Sequence, residues 1–199
     1  MKGSLIILLF FAAGLLMGLF RWIPASWLNV DISFYVLSAL MFSVGFSIGH
    51  QPDTINQFRE INVRVLFLPV TTIAGSLAGV LIVGGFFKHT LSELLAVGSG
   101  FGYYSLSSIL ITQYKGAELA TIALLANIMR ELLTLGFAPQ MVRWFGRLAP
   151  IAAGGATTMD TTYPIIIRTS GTEFSIISIY NGFVLDFTVP FLITLFCSL

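Results

Sequence analysis

Charge is scarce in this chain. Only 10% of its 199 residues are Asp, Glu, Lys or Arg, against 56% that are hydrophobic. A soluble domain carries about 25% charged residues. So few charges cannot cover a water-facing surface, and lipid must be the solvent. The formal net charge is +1, which gives no electrostatic ground for a nucleic-acid partner. Cysteine is almost absent. Cys197, two residues from the end, excludes an internal disulfide and any cysteine-built metal site. The two histidines, His50 and His89, fall in connecting segments. No imidazole is therefore available within a membrane segment as a metal ligand or a base. Nor does any acid here sit in the Gly-x-Gly-Asp pattern of membrane aspartyl proteases. These absences argue against an enzyme.

What the chain does have is apolar runs. A membrane helix needs about 20 mostly apolar residues. Ser4–Phe20, Ile32–Gly49 and Val63–Phe87 meet that requirement. The first resembles a signal sequence, but its length and the segments that follow make it a retained span. Trp22, Pro24 and Trp27 lie in the first loop, and tryptophan favours headgroup depth. Gln51 to Arg64 is the longest polar stretch. Gly116–Val142 and Phe174–Phe196 are two further full spans.

The segments Leu91–Thr112 and Leu148–Ile167 are irregular. The first holds Gly98, Gly100 and Gly102, followed by Tyr103, Tyr104, Ser105, Ser107 and Ser108. The second reads Gly154-Gly155-Ala156-Thr157-Thr158-Met159-Asp160-Thr161-Thr162-Tyr163-Pro164. Glycines unwind a helix readily, and hydroxyls satisfy the backbone groups that a break sets free. Basic residues, which collect in cytoplasmic loops, bear on whether these segments cross. If both dip in and return, Lys2, Arg59, Arg64, Arg143, Arg147 and Arg168 lie inside and Arg21, Lys88 and Lys115 outside, six against three. If both cross, the count is five against four. The expectation is a single all-α transmembrane domain over residues 1–199. It has about five transmembrane helices, two broken or re-entrant segments of opposite entry, and an external C-terminus. Two broken segments of opposite entry are how secondary transporters build a midplane site.

Charge within a span costs roughly 2.5–3.5 kcal/mol on insertion scales, so each such residue needs a reason. Arg130, Glu131, Asp160 and Asp186 are of this kind, and together they carry a formal charge of −2. That excess suits a cationic substrate. Asn127, Glu131 and Thr134 share one helical face by their spacing, flanked by Ala123 and Ala138. Arg130, about 100° round the helix, is a poor direct partner for Glu131 and reads as structural or as a counter-charge. Asp160 follows the Gly154-Gly155 break, where freed amides attract anions; the competing role for it is a helix cap. Asp186 follows Asn181 and Gly182 and is a third ligand, a proton carrier or a hydrogen-bonded buried acid. The candidate binding residues are Glu131, Asp160, Asn127, Asp186, Ser105, Ser107, Thr157 and Thr158, framed by Gly98, Gly100, Gly102, Gly154 and Gly155. No cofactor is expected beyond a coupling proton or sodium ion, and no metal site.

Gly98 through Leu110, Asn127 with Arg130-Glu131-Leu132, Gly155 through Pro164, Arg168 through Gly171 and Gly182 through Pro190 together resemble the LysO family of lysine exporters. The chain is similar to the C-terminal two-thirds of its full-length members. The resemblance implies export of lysine and its toxic analogues across a bacterial inner membrane, with Glu131 and Asp160 as the family's intramembrane acids. Longer members carry further N-terminal spans, and a split form exists. This implies a homodimer or a small companion membrane subunit. The rival readings are an ion-coupled carrier of another cationic or small solute, and a membrane scaffold subunit, for which the acids would be an unexplained cost.

Overall fold

The computed structural model describes residues 63–199 and, before them, Leu9, residues 13–20, Tyr35, Ala39 and Phe42. Most of the span expected over Ile32–Gly49, the loop Arg21 to Asn29, residues 51–62 of the long polar stretch, and the positions of Lys2, His50 and Arg59 lie outside the described residues. The chain divides into two compact units, Met1–Pro52 and Asp53–Leu199. In the first, residues 13–19 are helical and 13–20 expose their side chains. The rest concerns the second unit.

No strand occurs among the described residues, which form helices joined by short turns and bends. A single turn, Val63–Leu66, leads into α1, Leu68–Gly84, where Pro69 sits in the first turn. The span expected from Val63 is thus interrupted at Phe67, since Pro69 has no amide with which to continue the helical hydrogen bonding across that turn. Helix α2, Leu91–Gly98, opens on a capping box in which Thr90 and Glu93 exchange bonds. Its partner α3, Tyr104–Lys115, begins after a five-residue interruption. Helix α4, Ala117–Phe145, runs for 29 residues between Gly116 and Gly146. A short α5, Ala149–Gly154, passes into a 3-10 segment, Gly155–Met159, and then α6, Tyr163–Ser170. Finally, a 3-10 turn at Thr172–Phe174 precedes α7, Ser175–Ser198.

Among the described residues, two stretches can cross a bilayer by length and composition, Ala117–Phe145 and Thr172–Ser198. The two irregular segments of the sequence are the two broken ones, and each break falls on its glycines. The outer faces are apolar. Leu125, Met129, Leu133 and Phe137 of α4 and Phe187 and Phe191 of α7 are exposed, whereas Asn127, Glu131, Thr134, Asn181 and Asp186 on the same helices are buried. A soluble protein sorts these residue types the other way round. Ile151 and Ile166, both fully buried, meet Leu68 to close the packing between α5, α6 and α1.

The two broken segments are hairpins whose ends point opposite ways. Around the second, Arg147 pairs with Glu173 at 2.5 Å, Ser170 Oγ donates to the Arg147 carbonyl at 2.8 Å, and Arg147 lies over the Phe174 ring. The entrance to α5 and the exit of α6 thus meet beside the start of α7. Around the first, Glu93 and Lys115 both lie within Coulombic range of Cys197 at the far end of α7.

Candidate functional site

The hairpin tips cross. The Ala156 amide donates to the Phe101 carbonyl at 2.8 Å. A Cβ on Gly102 would come within 3.1 Å of the Gly154 carbonyl, and one on Gly155 would strike the Phe101 carbonyl. Gly155 also has φ 66, and Phe101 is a non-glycine residue at φ 44. Such backbone is held only where its surroundings over-determine it. Here Phe101 is fully buried, and its carbonyl holds the neighbouring tip.

Helix α4 locks this crossing with adjacent turns of one helix. Asn127 accepts the Gly102 amide on Oδ1 at 2.7 Å and donates from Nδ2 to the Ala123 carbonyl at 2.8 Å. It packs against Gly100 so closely that no side chain fits there. Arg130 donates from Nε to the Ala153 carbonyl at 2.7 Å, from Nη2 to the Ala152 carbonyl at 3.0 Å and from Nη1 to Ser76 Oγ at 2.9 Å. These are carbonyls of the last turn of α5, where a cation is favoured. Arg130 is therefore a cap on a half-helix and a tie to α1. The sequence showed that it would not face Glu131 but not what it would hold, because Ser76 and Ala152 are remote in the chain.

Beside this lock the polar side chains gather. Glu131 is fully buried on α4, between Asn127 and Thr134 on the face read from their spacing. Asp160 lies on the exposed turn before α6, and its Oδ1 accepts the Thr161 amide. It does not cap α6, whose preceding residue Thr162 makes no side-chain cap. Asp186 on α7 is 5% exposed, and its Oδ2 has no hydrogen-bond partner among the described residues. Asp160 is within Coulombic range of Glu131, and Asp186 of Asp160. Tyr103 and Tyr104, from the first break, are within range of the same acids. Glu131 with Asp160, and Asp160 with Asp186, are thus two carboxyl pairs drawn from three elements, although the three do not converge on one point among the described residues. The tyrosines were legible as part of the hydroxyl-rich break but not as neighbours of the acids.

The hydroxyls serve the breaks. Thr157 Oγ1 donates to the Gly154 carbonyl at 2.9 Å and meets Thr162 Oγ1 at 3.1 Å. Thr158 Oγ1 is within bonding distance of the Gly155 carbonyl at 2.7 Å and the Ser178 carbonyl at 2.8 Å. Ser107 Oγ donates to the Tyr103 carbonyl at 2.6 Å, and half-buried Ser105 accepts Ser108 Oγ on its carbonyl at 2.9 Å. Asn181 donates to the Ile151 and Gly155 carbonyls at 3.2 and 3.4 Å. Of the glycines, Gly98 instead packs on Val80 of α1.

A groove of about 690 Å³ runs between α1, α2 and α4 and reaches Asn127 and Arg130 from the side. Its walls are apolar, with Val80, Val83, Leu94, Val97, Ile122 and Leu133. An ammonium would gain nothing there. The acids, not the groove, are the candidate site.

Residues 8–197 match the family described as lysine exporter LysO. The chain is 34% identical over 168 residues to "Lysine exporter LysO" of Escherichia coli (strain K12), which covers 84% of this chain and 56% of that protein. It is 32% identical over 179 residues to "Putative lysine exporter" of Haemophilus influenzae, covering 89% of this chain and 91% of that one. The chain thus spans little more than half of the first relative and nearly all of the second. No solved structure matches it. The chain belongs to the lysine exporter LysO family of membrane transporters.

Proposed function

We propose that this chain carries out secondary-type export of L-lysine, and of toxic lysine analogues, across a bacterial cytoplasmic membrane. One observation carries the reading: the crossed hairpin tips have buried Glu131 beside them and Asp160 and Asp186 within Coulombic range. Lysine is a zwitterion with a second ammonium, so a site for it needs more negative than positive groups. Arg130 is already occupied by carbonyls, which leaves the acids as the charge a substrate meets. Glu131 and Asp160 take the ammonium groups. The first turn of α3, at Ser105 and Leu106, has amides without intrahelical partners and is within reach of a substrate held near Tyr104, suiting the carboxylate.

The hairpins support one membrane arrangement. Helices α4 and α7 span. The α2–α3 and α5–α6 hairpins enter from opposite faces and meet midway, supported by the Arg147–Glu173 closure at one end of α7 and by Glu93 and Lys115 at the other. With the first three apolar runs this gives about five spans. The named relatives export lysine by name, and the E. coli protein is much longer than this chain. A homodimer or a pair with a small companion membrane subunit is the proposed working unit. A proton or sodium ion supplies the driving gradient. Counterflow of labelled lysine in proteoliposomes, with and without a pH or sodium gradient, tests the reading. Uptake no faster than in protein-free vesicles, by the chain alone and with a co-purified partner, would overturn it.

A further inference from the structure

Ser178, Gly182 and Asp186 are spaced four apart on α7 and form one stripe. The first two lie on the 3-10 segment. Ser178 Oγ donates to the Thr158 carbonyl at 2.8 Å, and Thr158 Oγ1 lies 2.8 Å from the Ser178 carbonyl. A Cβ on Gly182 would come within 2.9 Å of both the Met159 nitrogen and Thr158 Oγ1. Asp186 is the next residue of the stripe, about one turn or 6 Å further along the axis. No residue of the 3-10 segment bonds its Oδ2, which has no partner among the described residues.

The ionisable groups within its range are Asp160, on the turn that follows the 3-10 segment, and Tyr103 in the first break; neither supplies a positive charge. Glu93 and Lys115, from α2 and α3, face the far end of α7 at Cys197. On α6, Tyr163 is held by Ser175 and Arg168 is exposed in the last turn, at the end that meets the start of α7, while Tyr180 of α7 donates to the Leu66 carbonyl. Helices α1 and α5 contain no ionisable residue. An acid in such a place needs a cation that the protein does not bring. A divalent metal ion requires a cluster of charged oxygen ligands, and among the described residues no three His, Cys, Asp or Glu side chains converge; sodium, which carbonyls and hydroxyls can hold, is the alternative that the experiment below separates. A proton requires one free oxygen.

We propose that Asp186 is a proton-exchange site, distinct from the substrate acids and reached from solvent through Asp160. A hydronium ion beside exposed Asp160 gives up one O–H bond and becomes water as the Oδ2–H bond of Asp186 forms; on release that bond breaks and the proton returns to water by the same route. Substrate binding at Glu131 and Asp160 brings positive charge toward Asp186 and expels the proton, which couples the two events. The coupling rests on the transport reading; the titration of Asp186 does not.

The experiment is infrared difference spectroscopy of the full chain in lipid. Wild type should show a protonated-carboxyl band that titrates with pH, is lost in Asp186→Asn, and persists at a shifted frequency in Asp186→Glu, which keeps the acid. Added lysine should remove the band, and sodium at constant pH should leave it. A wild-type spectrum whose band survives in folded Asp186→Asn overturns the site, as does a band that sodium removes and lysine does not. If calorimetry finds no lysine binding to wild type while the band still titrates and depends on Asp186, the site stands and the substrate assignment falls.

Discussion

The Phe101 carbonyl accepts the Ala156 amide at 2.8 Å, and this bond joins two hairpins that are far apart in sequence. It exists because Gly155 lets the backbones touch. An alanine there would place its Cβ against the Phe101 carbonyl and would have to adopt φ 66. The backbone conformation alone costs about 1–3 kcal/mol in a side-chain-bearing residue, and the steric overlap adds to it. Gly155→Ala should therefore lower the thermal unfolding midpoint in detergent and reduce membrane abundance. Gly136→Ala, with open space at its Cβ on α4, is the control and should be neutral. Equal midpoints for the two variants would show that the crossing is not needed for the fold.

Arg130 holds two carbonyls and a serine with three separate nitrogens. Lysine keeps the charge but has no planar fork and cannot reach all three acceptors. Hydrogen bonds to charged groups are each worth about 1.5–3 kcal/mol, so Arg130→Lys should destabilise by at least one such bond. Ser76→Ala removes only the tie to α1 and should cost less. Unfolding midpoints of the three proteins rank them. A lysine variant as stable as wild type would mean that charge alone suffices at the end of α5.

Much of this fold could be read from the sequence. The two breaks were legible because Gly98 to Gly102 and Gly154-Gly155 put helix-breaking residues in otherwise apolar runs. The buried face of α4 was legible because Asn127, Glu131 and Thr134 recur at helical spacing. The membrane count was less so, since Phe67 and Pro69 interrupt a run that hydropathy reads as continuous. The crossing itself left no local signal. Which carbonyl Arg130 holds, and which amide Asn127 accepts, depend on where α5 and the first tip lie against α4. The hydroxyls of Thr157 and Thr158, candidate ligands by sequence, donate to the carbonyls that the break exposes. Sequence shows that a hydroxyl is present but not what it bonds.

The hairpin geometry predicts a labelling pattern. With Cys197→Ser as background, single cysteines at Arg143 and Thr172 flank the α5–α6 hairpin, and cysteines at Lys88 and Glu118 flank the α2–α3 hairpin. All four positions are exposed. An impermeant maleimide applied to whole cells should label positions 88 and 118 and spare 143 and 172 until the membrane is opened. External labelling at 143 together with protection at 172 would mean that the second broken segment crosses the bilayer.

The two acids assigned to substrate differ in surroundings, and their variants should differ accordingly. Glu131→Gln and Asp160→Asn keep shape and delete charge. Glu131 is fully buried, so its charge acts on an ammonium with little screening. A hydrogen bond to a charged group is worth about 1.5–3 kcal/mol, which corresponds to roughly 10- to 150-fold in affinity at 1.4 kcal/mol per tenfold. Glu131→Gln should weaken lysine binding across that range. Asp160 is exposed, where solvent screens the attraction and exposed pairs contribute about 0–1 kcal/mol. Asp160→Asn should therefore cost binding less than about tenfold. If Asp160 also passes protons to Asp186, the same variant should lose gradient-driven transport while keeping counterflow, because an amide cannot titrate. Both variants should insert normally, and both should fail to protect cells from a toxic lysine analogue. Wild-type resistance at matched membrane abundance removes that acid from the mechanism. An Asp160→Asn protein that loses counterflow and binding as fully as Glu131→Gln makes Asp160 a substrate ligand alone, and the proton must then reach Asp186 by another path.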